Sequence, residues 1–393
     1  MPRSRRDHGT GGDQHQADQK GSNDPHGCHV GVMTRVSDPN RSAPASPLLC
    51  LDRPECPKVV NPLPVLPFAS GLGEVERLDH LSDWTAAMKR PHPITRRSLL
   101  LSGAAATLLL SLAAAQHGPV HSKQIPSTGE PLPVVGLGTW ITFNVGNDGE
   151  ARDSCTEVMR AFFAAGGRLI DSSPMYGSSQ EVIGYGLGKL GRPESLFSAD
   201  KVWTSSGSAG PRQVEVSRQN WGVPRFDLLQ VHNLLSWEAH LQTLLAKKAA
   251  GEVRYVGITT SEGRRHGEFE RIMRQHPLDF IQVTYNVLDR EVEARLLPLA
   301  RERGIAVIAN RPFQEGALLD RLARYPLPAW AAEIECRSWA QFVLKFIVSH
   351  PVVTCAIPAT TKVDHVRENM EAAHGRLPDK ATRARMVAYV EGL

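Results

Sequence analysis

Eight short apolar runs recur along the later part of the chain, and this repetition constrains the fold more than any other feature. They cover Val134 to Leu137, Arg168 to Asp171, Phe197 to Trp203, Leu228 to His232, Val253 to Thr259, Phe280 to Tyr285, Ile305 to Asn310 and Val353 to Ile357. Each is too short for a globular helix and too continuously apolar for a strand with one wet face. The pattern therefore predicts strands buried on both faces, as in a parallel sheet. Between the runs lie longer stretches with helical periodicity, among them Ala151 to Ala165, Ser236 to Ala250, His266 to His276, Val292 to Arg303 and Trp330 to Ser349. Several of these stretches meet glycine at their ends, at Gly166-Gly167, Gly251 and Gly304, as helix C-termini commonly do. Alternation repeated eight times predicts an α/β fold, a single (β/α)8 TIM barrel rather than an open sheet. Lys123 to Glu130 reads as a hairpin ahead of the barrel, and Pro378 to Leu393 as a terminal helix after it. Gly136-Leu137-Gly138 has no third glycine opening a helix, so it does not argue for a dinucleotide-binding sheet.

The barrel does not need the whole chain of 393 residues. Residues 1–87 are rich in Pro, Gly, Ser, Asp, His and Arg and lack either periodicity; they read as a disordered extension or as sequence upstream of the true gene start. From Met88 the character changes. Lys89, Arg90, Arg96 and Arg97 precede a mostly apolar stretch from Leu99 to Ala115, the layout of a signal peptide, and Ala113-Ala114-Ala115 offers a cleavage site. Thr95-Arg96-Arg97-Ser98-Leu99-Leu100 resembles the twin-arginine export motif. Residues 88–115 are thus expected to direct export to the periplasm through the twin-arginine machinery, with a cytoplasmic protein as the alternative. The apolar stretch is shorter than the ~20 residues of a membrane-spanning helix, so no stable span is expected. Residues 116–393 remain as one barrel domain of 278 residues.

Composition narrows the partners. The net charge of +4 comes with no cluster of Lys and Arg interleaved with aromatics, so no nucleic-acid partner is expected. The six cysteines, Cys28, Cys50, Cys56, Cys155, Cys336 and Cys355, form no CxxC pair and have no histidine at ligand spacing, which predicts neither a zinc site nor a disulfide framework.

In such barrels the chemistry collects where strands end at the C-terminal face. The second run closes on Asp171-Ser172-Ser173-Pro174-Met175-Tyr176-Gly177, the third on Asp200-Lys201-Val202-Trp203, and the fourth on Gln230-Val231-His232-Asn233. These stretches resemble the aldo/keto reductase family, whose active site uses Asp, Tyr, Lys and His in this chain order; the resemblance covers residues 123–393. It implies a catalytic tetrad of Asp171, Tyr176, Lys201 and His232 and the reduction of a small-molecule carbonyl, aldehyde or ketone, to an alcohol. The chemistry makes sense of the residue types. Hydride transfer builds negative charge on oxygen, which calls for a poised proton donor. A phenol with a pKa of about 10 needs a nearby cation to release its proton at neutral pH. Lys201 would supply that charge, Asp171 would balance it, and His232 would orient the substrate oxygen. Singly these residues read as a turn or cap residue, loop packing, a solvated cation and a structural histidine; together, on successive strand ends, they read as a site.

The resemblance also implies a nicotinamide dinucleotide laid across the barrel mouth, NADP(H) first and NAD(H) as the alternative. Thr259 and Thr260 stand where the family usually presents Ser-Asn to the carboxamide, and Gln282 matches the glutamine on its other side. Asn310 replaces a stacking tyrosine, which leaves Phe313 or another ring to cover the nicotinamide, and Arg311 is a candidate for a phosphate. In the segment after the eighth run, Thr360, Glu368 and Asn369 fit, whereas Ala359 and His365 replace a lysine and an arginine, with Lys362 nearby in compensation. Trp140, Phe143 and Trp203 are expected to wall an apolar substrate pocket. The short connection at Asn233-Leu234-Leu235 points to an open site. A nicotinamide-binding regulatory module on the same barrel is the competing reading.

Overall fold

The structure is a computed structural model, and it describes residues 118–393. The proposed export segment, residues 88–115, and the extension before it lie outside the described residues. A hairpin comes first: β1 (Ser122–Gln124) pairs antiparallel with β2 (Pro131–Pro133). Eight parallel strands follow, β3 (Leu137–Gly138), β4 (Leu169–Asp171), β5 (Phe197–Val202), β6 (Phe226–Val231), β7 (Val253–Thr259), β8 (Phe280–Thr284), β9 (Ala306–Asn310) and β10 (Val353–Ala356), each paired with its sequence neighbour. The sheet closes on itself. The Gly136 N–H donates to Ala356 O at 2.8 Å, the Ala356 N–H to Val134 O at 2.9 Å, and the Gly138 N–H to Pro358 O at 2.9 Å. Glycine permits this seam, because a Cβ on Gly138 would stand 2.7 Å from the Ile357 carbonyl oxygen.

The helices between the strands are α1 (Gly149–Ala164), α2 (Ser179–Lys189), α3 (Gly210–Trp221), α4 (Trp237–Ala249), α5 (His266–Gln275), α6 (Leu296–Arg303), α7 (Ala317–Leu322), α8 (Trp339–Val348) and α9 (Val363–Glu371). The last helix, α10 (Lys380–Glu391), is fastened by Arg383, which donates to the Tyr285 hydroxyl at 2.5 Å and pairs with Glu293 at 3.0 Å. Gly166, Gly251 and Gly304 all follow helices with positive φ, as their positions predict. Two expected helices are shorter than their periodicity suggested. The stretch from Trp330 breaks at Glu335, whose φ is 54°, and α8 restarts behind Ser338, whose hydroxyl accepts from the Gln341 N–H at 3.3 Å. The stretch from Val292 opens with a single tight turn, and α6 starts only at Leu296, where Pro298 falls in a first turn that needs no donor from it.

Two clusters divide the apolar side chains. Along the strands, Ile170, Leu229, Val231, Val256, Ile258, Ile281, Val283 and Val307 pack outward against the helices. Their alternates, Leu169, Phe197, Ala199, Leu228, Tyr255, Phe280, Ile308 and Cys355, fill the barrel interior. Ile125 and Leu132 of the hairpin join this inner cluster and close the N-terminal end. Beside them Phe197, Tyr255 and Phe280 form a floor, with ring centroids 5.5 to 6.0 Å apart. The hairpin is fixed from outside by Glu130, which pairs with Arg168 at 3.0 Å and with Arg254, and accepts from the Tyr255 hydroxyl at 2.8 Å.

Candidate active site

Continuing the inward positions toward the C-terminal ends of the strands turns the interior from apolar to polar. Two residues beyond Leu169 is Asp171, beyond Ala199 is Lys201, beyond Leu228 are Gln230 and His232, and beyond Phe280 is Gln282. All five are buried. Lys201 Nζ donates to Asp171 Oδ2 at 2.5 Å and to the Ser172 carbonyl at 2.7 Å, while Gln282 Nε2 donates to Asp171 Oδ1 at 2.8 Å. Both carboxylate oxygens are thus engaged. The same ammonium lies 5.0 Å from the Tyr176 ring centroid, and the Tyr176 and His232 rings meet edge to face at 5.7 Å. The four residues expected to form the tetrad converge in space.

The loop that carries Tyr176 is held by hydroxyls. Thr139 Oγ1 donates to Asp171 O at 2.8 Å, Ser179 Oγ donates to Thr139 Oγ1 at 2.9 Å, and the Ser172 and Ser179 hydroxyls are bonded at 3.0 Å. His232 is placed by the end of β6. The strand stops at Val231, and a tight turn with positive φ at Asn233 and Leu234 carries the chain away. That turn is tied down by the Asn233 N–H, which donates to Thr259 Oγ1 at 3.0 Å, and by Arg265, which donates to Leu234 O at 2.9 Å.

Burial is the largest single influence and acts against the Lys201 ammonium, but Asp171, Tyr176 and Asp200 together outweigh it and hold the lysine pKa above its ordinary value. Burial, reinforced by the charge of Lys201, drives the His232 pKa down to about 2, so the imidazole is neutral. Tyr176 departs from the sequence expectation. Lys201 pulls the phenol toward acidity, yet burial pushes its pKa up, Asp171 and Asp200 add to the rise, and the net shift is upward. Burial is the largest of these effects and the single ammonium does not offset it, so at neutral pH the phenol keeps its proton.

The residues expected to hold a cofactor surround this center. Thr260 Oγ1 donates to Arg264 O at 2.6 Å, and Asn310 Nδ2 donates to Thr260 O at 3.0 Å and lies 3.5 Å from Gln282 Oε1. Gln282 therefore links Asn310 to Asp171. Beside it opens a cavity of about 250 Å³ whose lining includes Thr284, Arg311, Gln314 and Glu262. Arg311 is not a free cation there: it pairs with Glu262 at 3.0 Å and also with Glu315. Phe313 packs against the outer core. Across the mouth, Thr360 and Asn369 are buried, Glu368 is half-buried, and Lys362 and His365 are exposed. Lys362 Nζ has no side-chain partner among the described residues. Amide and hydroxyl side chains next to the tetrad and a lysine beyond the last strand without a side-chain partner among the described residues are groups that fit a nicotinamide dinucleotide.

The three expected pocket walls divide. Trp140 is half-buried, and Trp203 is 40% exposed at the rim with its backbone clamped by Gln213, whose side chain accepts from the Trp203 N–H at 2.7 Å and donates to its carbonyl at 2.8 Å. Phe143 instead lies fully buried in the outer core and presents no surface to a ligand. The loop turns through Ile141 at φ 63° and carries Phe143 inward while leaving Ile141 62% exposed. Reading strand ends alone missed Ser173 and Asp200. Ser173 lies two residues after Asp171 and shares a hydrogen bond of 2.8 Å with His232 Nδ1. Asp200 sits behind Lys201, where its Oδ1 accepts from the Lys201 N–H at 2.6 Å and its Oδ2 from Gln180 Nε2 at 2.8 Å. No cluster of metal-ligating side chains occurs among the described residues, and no helix among them is long and apolar enough to cross a membrane.

A closed eight-stranded barrel with a buried lysine-carboxylate pair, a phenol and a neutral imidazole at its mouth is the setting of a carbonyl-reducing oxidoreductase. The chain belongs to the aldo/keto reductase family, whose model matches residues 134–385. It is an NAD(P)H-dependent enzyme. Among curated proteins it is 28% identical over 258 residues to methylglyoxal reductase YeaE of Escherichia coli, covering 64% of this chain and 89% of that one. It is also 28% identical over 244 residues to an NADH-specific methylglyoxal reductase of the same organism, covering 53% and 73%. Among solved structures, an aldo/keto reductase from Klebsiella pneumoniae in complex with NADP and acetate superposes with a TM-score of 0.58 at 23% identity, over 67% of this chain and 93% of that one, a likeness of fold.

Proposed function

We propose that Tyr176 is the general acid of this reductase, with Lys201, Asp171 and His232 as its supporting groups, and that the substrates are small aldehydes or ketones. The convergence of the four side chains at the C-terminal mouth carries this reading. The bound dinucleotide supplies the hydride that adds to the carbonyl carbon. As charge grows on the carbonyl oxygen, the Tyr176 hydroxyl gives up its proton to it, and the Lys201 ammonium steadies the phenolate left behind. Asp171 makes a full positive charge tolerable at that depth, since an unpaired buried ammonium would be costly. Neutral His232 contributes direction rather than charge. The half-buried Trp140 and exposed Trp203 offer an apolar rim, and the two methylglyoxal reductases among the relatives favour short oxo-aldehydes as the first substrates to try.

NADP(H) is the preferred cofactor in this reading because Lys362 is available for a 2′-phosphate, and NAD(H) is the alternative because Arg311 is already paired. Titration of the purified protein with each reduced cofactor tests it: tighter NADPH binding is expected, and equal or tighter NADH binding refutes the preference. Tyr176→Phe tests the acid role. Carbonyl reduction should fall by at least about 10²-fold with cofactor affinity retained; a regulatory module would instead keep its output, and unchanged turnover would refute the assignment. Export rests on residues 88–115 alone, and the N-terminus of the mature protein, read by mass spectrometry after Ala115, would support it.

A further inference from the structure

The Ser173 hydroxyl is fully buried and makes two hydrogen bonds. It accepts from the Met175 N–H at 3.2 Å and is bonded to His232 Nδ1 at 2.8 Å. A hydroxyl has one proton to donate, and a buried donor without an acceptor is costly. Among the described residues the sole acceptor within reach of the Ser173 proton is His232 Nδ1. Were Nδ1 itself protonated, Ser173 would accept twice and its own proton would be stranded in the protein interior. The direction is therefore fixed, from Ser173 to Nδ1, and a neutral imidazole that accepts at Nδ1 must carry its proton at Nε2. His232 Nε2 has no hydrogen-bond partner among the described residues, and the ring lies edge to face with Tyr176.

We propose that Ser173 is a positioning residue that locks His232 into the tautomer protonated at Nε2, so that the imidazole offers a donor, and never an acceptor, to the substrate oxygen. A donor there shares the carbonyl oxygen with the Tyr176 proton and gains strength as that oxygen becomes negative; an acceptor would repel it. The inference rests on the reductase reading of the same site, but the tautomer can be measured independently of turnover.

The test uses the full-length protein labelled with ¹⁵N-histidine, with the His232 resonances assigned from a His232→Gln variant. Wild type should show a protonated-type shift at Nε2 and an unprotonated-type shift at Nδ1 for His232. Ser173→Ala should abolish that bias and lower kcat about ten-fold, the order expected for one lost hydrogen bond, with cofactor affinity unchanged. Ser173→Thr, which keeps the hydroxyl, should restore the tautomer and most of the rate. A wild-type His232 protonated at Nδ1 overturns the proposal, and so does a Ser173→Ala protein with the wild-type tautomer, whatever its rate. Complete inactivity of the wild type on all carbonyls would instead strike at the reductase reading and leave the tautomer result standing.

Discussion

Asp200→Asn isolates the energetic cost of the second buried carboxylate. Asp200 is completely buried, and burial, ahead of the hydrogen bonds that oppose it, raises its pKa from 3.8 to about 7. In the unfolded chain the same group titrates near 3.9. The folded protein therefore holds the extra proton through the interval between these values, and stability falls as pH rises across it, the cost being absent below the interval and complete above it. A difference of about three units, at 1.36 kcal/mol each, makes that cost roughly 4 kcal/mol. Asparagine keeps the acceptor for the Lys201 N–H and does not ionise, and Gln180 can turn its amide to match. Urea unfolding followed by tryptophan fluorescence should show the variant more stable than wild type near pH 8.5. Its advantage should shrink by roughly 2–3 kcal/mol on moving to about pH 5. An advantage that stays constant, or grows toward acid, would refute the argument that Asp200 is buried against its own ionisation.

Lys123 donates to the carbonyls of Val348, His350 and Val353 at 2.6 to 2.7 Å, collecting the end of α8 and the start of β10 on one ammonium. Lys123→Met should cost about 2–4 kcal/mol of unfolding free energy, measured by the urea midpoint, because three acceptors lose a charged donor. In the Asp200→Asn variant, where no buried acid titrates behind Lys201, the rate of carbonyl reduction should be flat from about pH 5 to pH 8, since His232 stays neutral there and Tyr176 stays protonated, and should decline only above the ordinary tyrosine value of ~10. A bell-shaped profile with an inflection near pH 6.5 would show that an unshifted histidine controls the rate.

The barrel was legible from its repeated runs and three of the tetrad residues from position along a strand, whereas Tyr176, on a loop, was reached through the family resemblance. Once Leu169 and Leu228 are inward, Asp171 and His232 must be inward too, and the period of two carries that inference without coordinates. Helix ends with a local cause were equally readable, as at Gly304. What stayed hidden depended on contacts between segments far apart in sequence. Nothing adjacent to Phe143 shows that the preceding turn swings it into the outer core instead of the mouth. The upward shift of Tyr176 comes first from its burial, to which Asp171 and Asp200 add, and no spacing reports how deeply a loop residue is buried. Sequence leaves Arg311 a candidate for a phosphate without naming the acid that engages it, because Glu262 comes from a different loop. The break at Glu335 was obscured because Trp330 to Ser349 keeps helical periodicity across it.

The hairpin under the barrel has a consequence for traffic. With Ile125 and Leu132 wedged below Phe197, Tyr255 and Phe280, the cylinder is a blind well, and the tetrad sits near its top. Cofactor and carbonyl compound must come and go through one opening. Two molecules that share one opening cannot pass each other, so whichever lies deeper must arrive first and leave last.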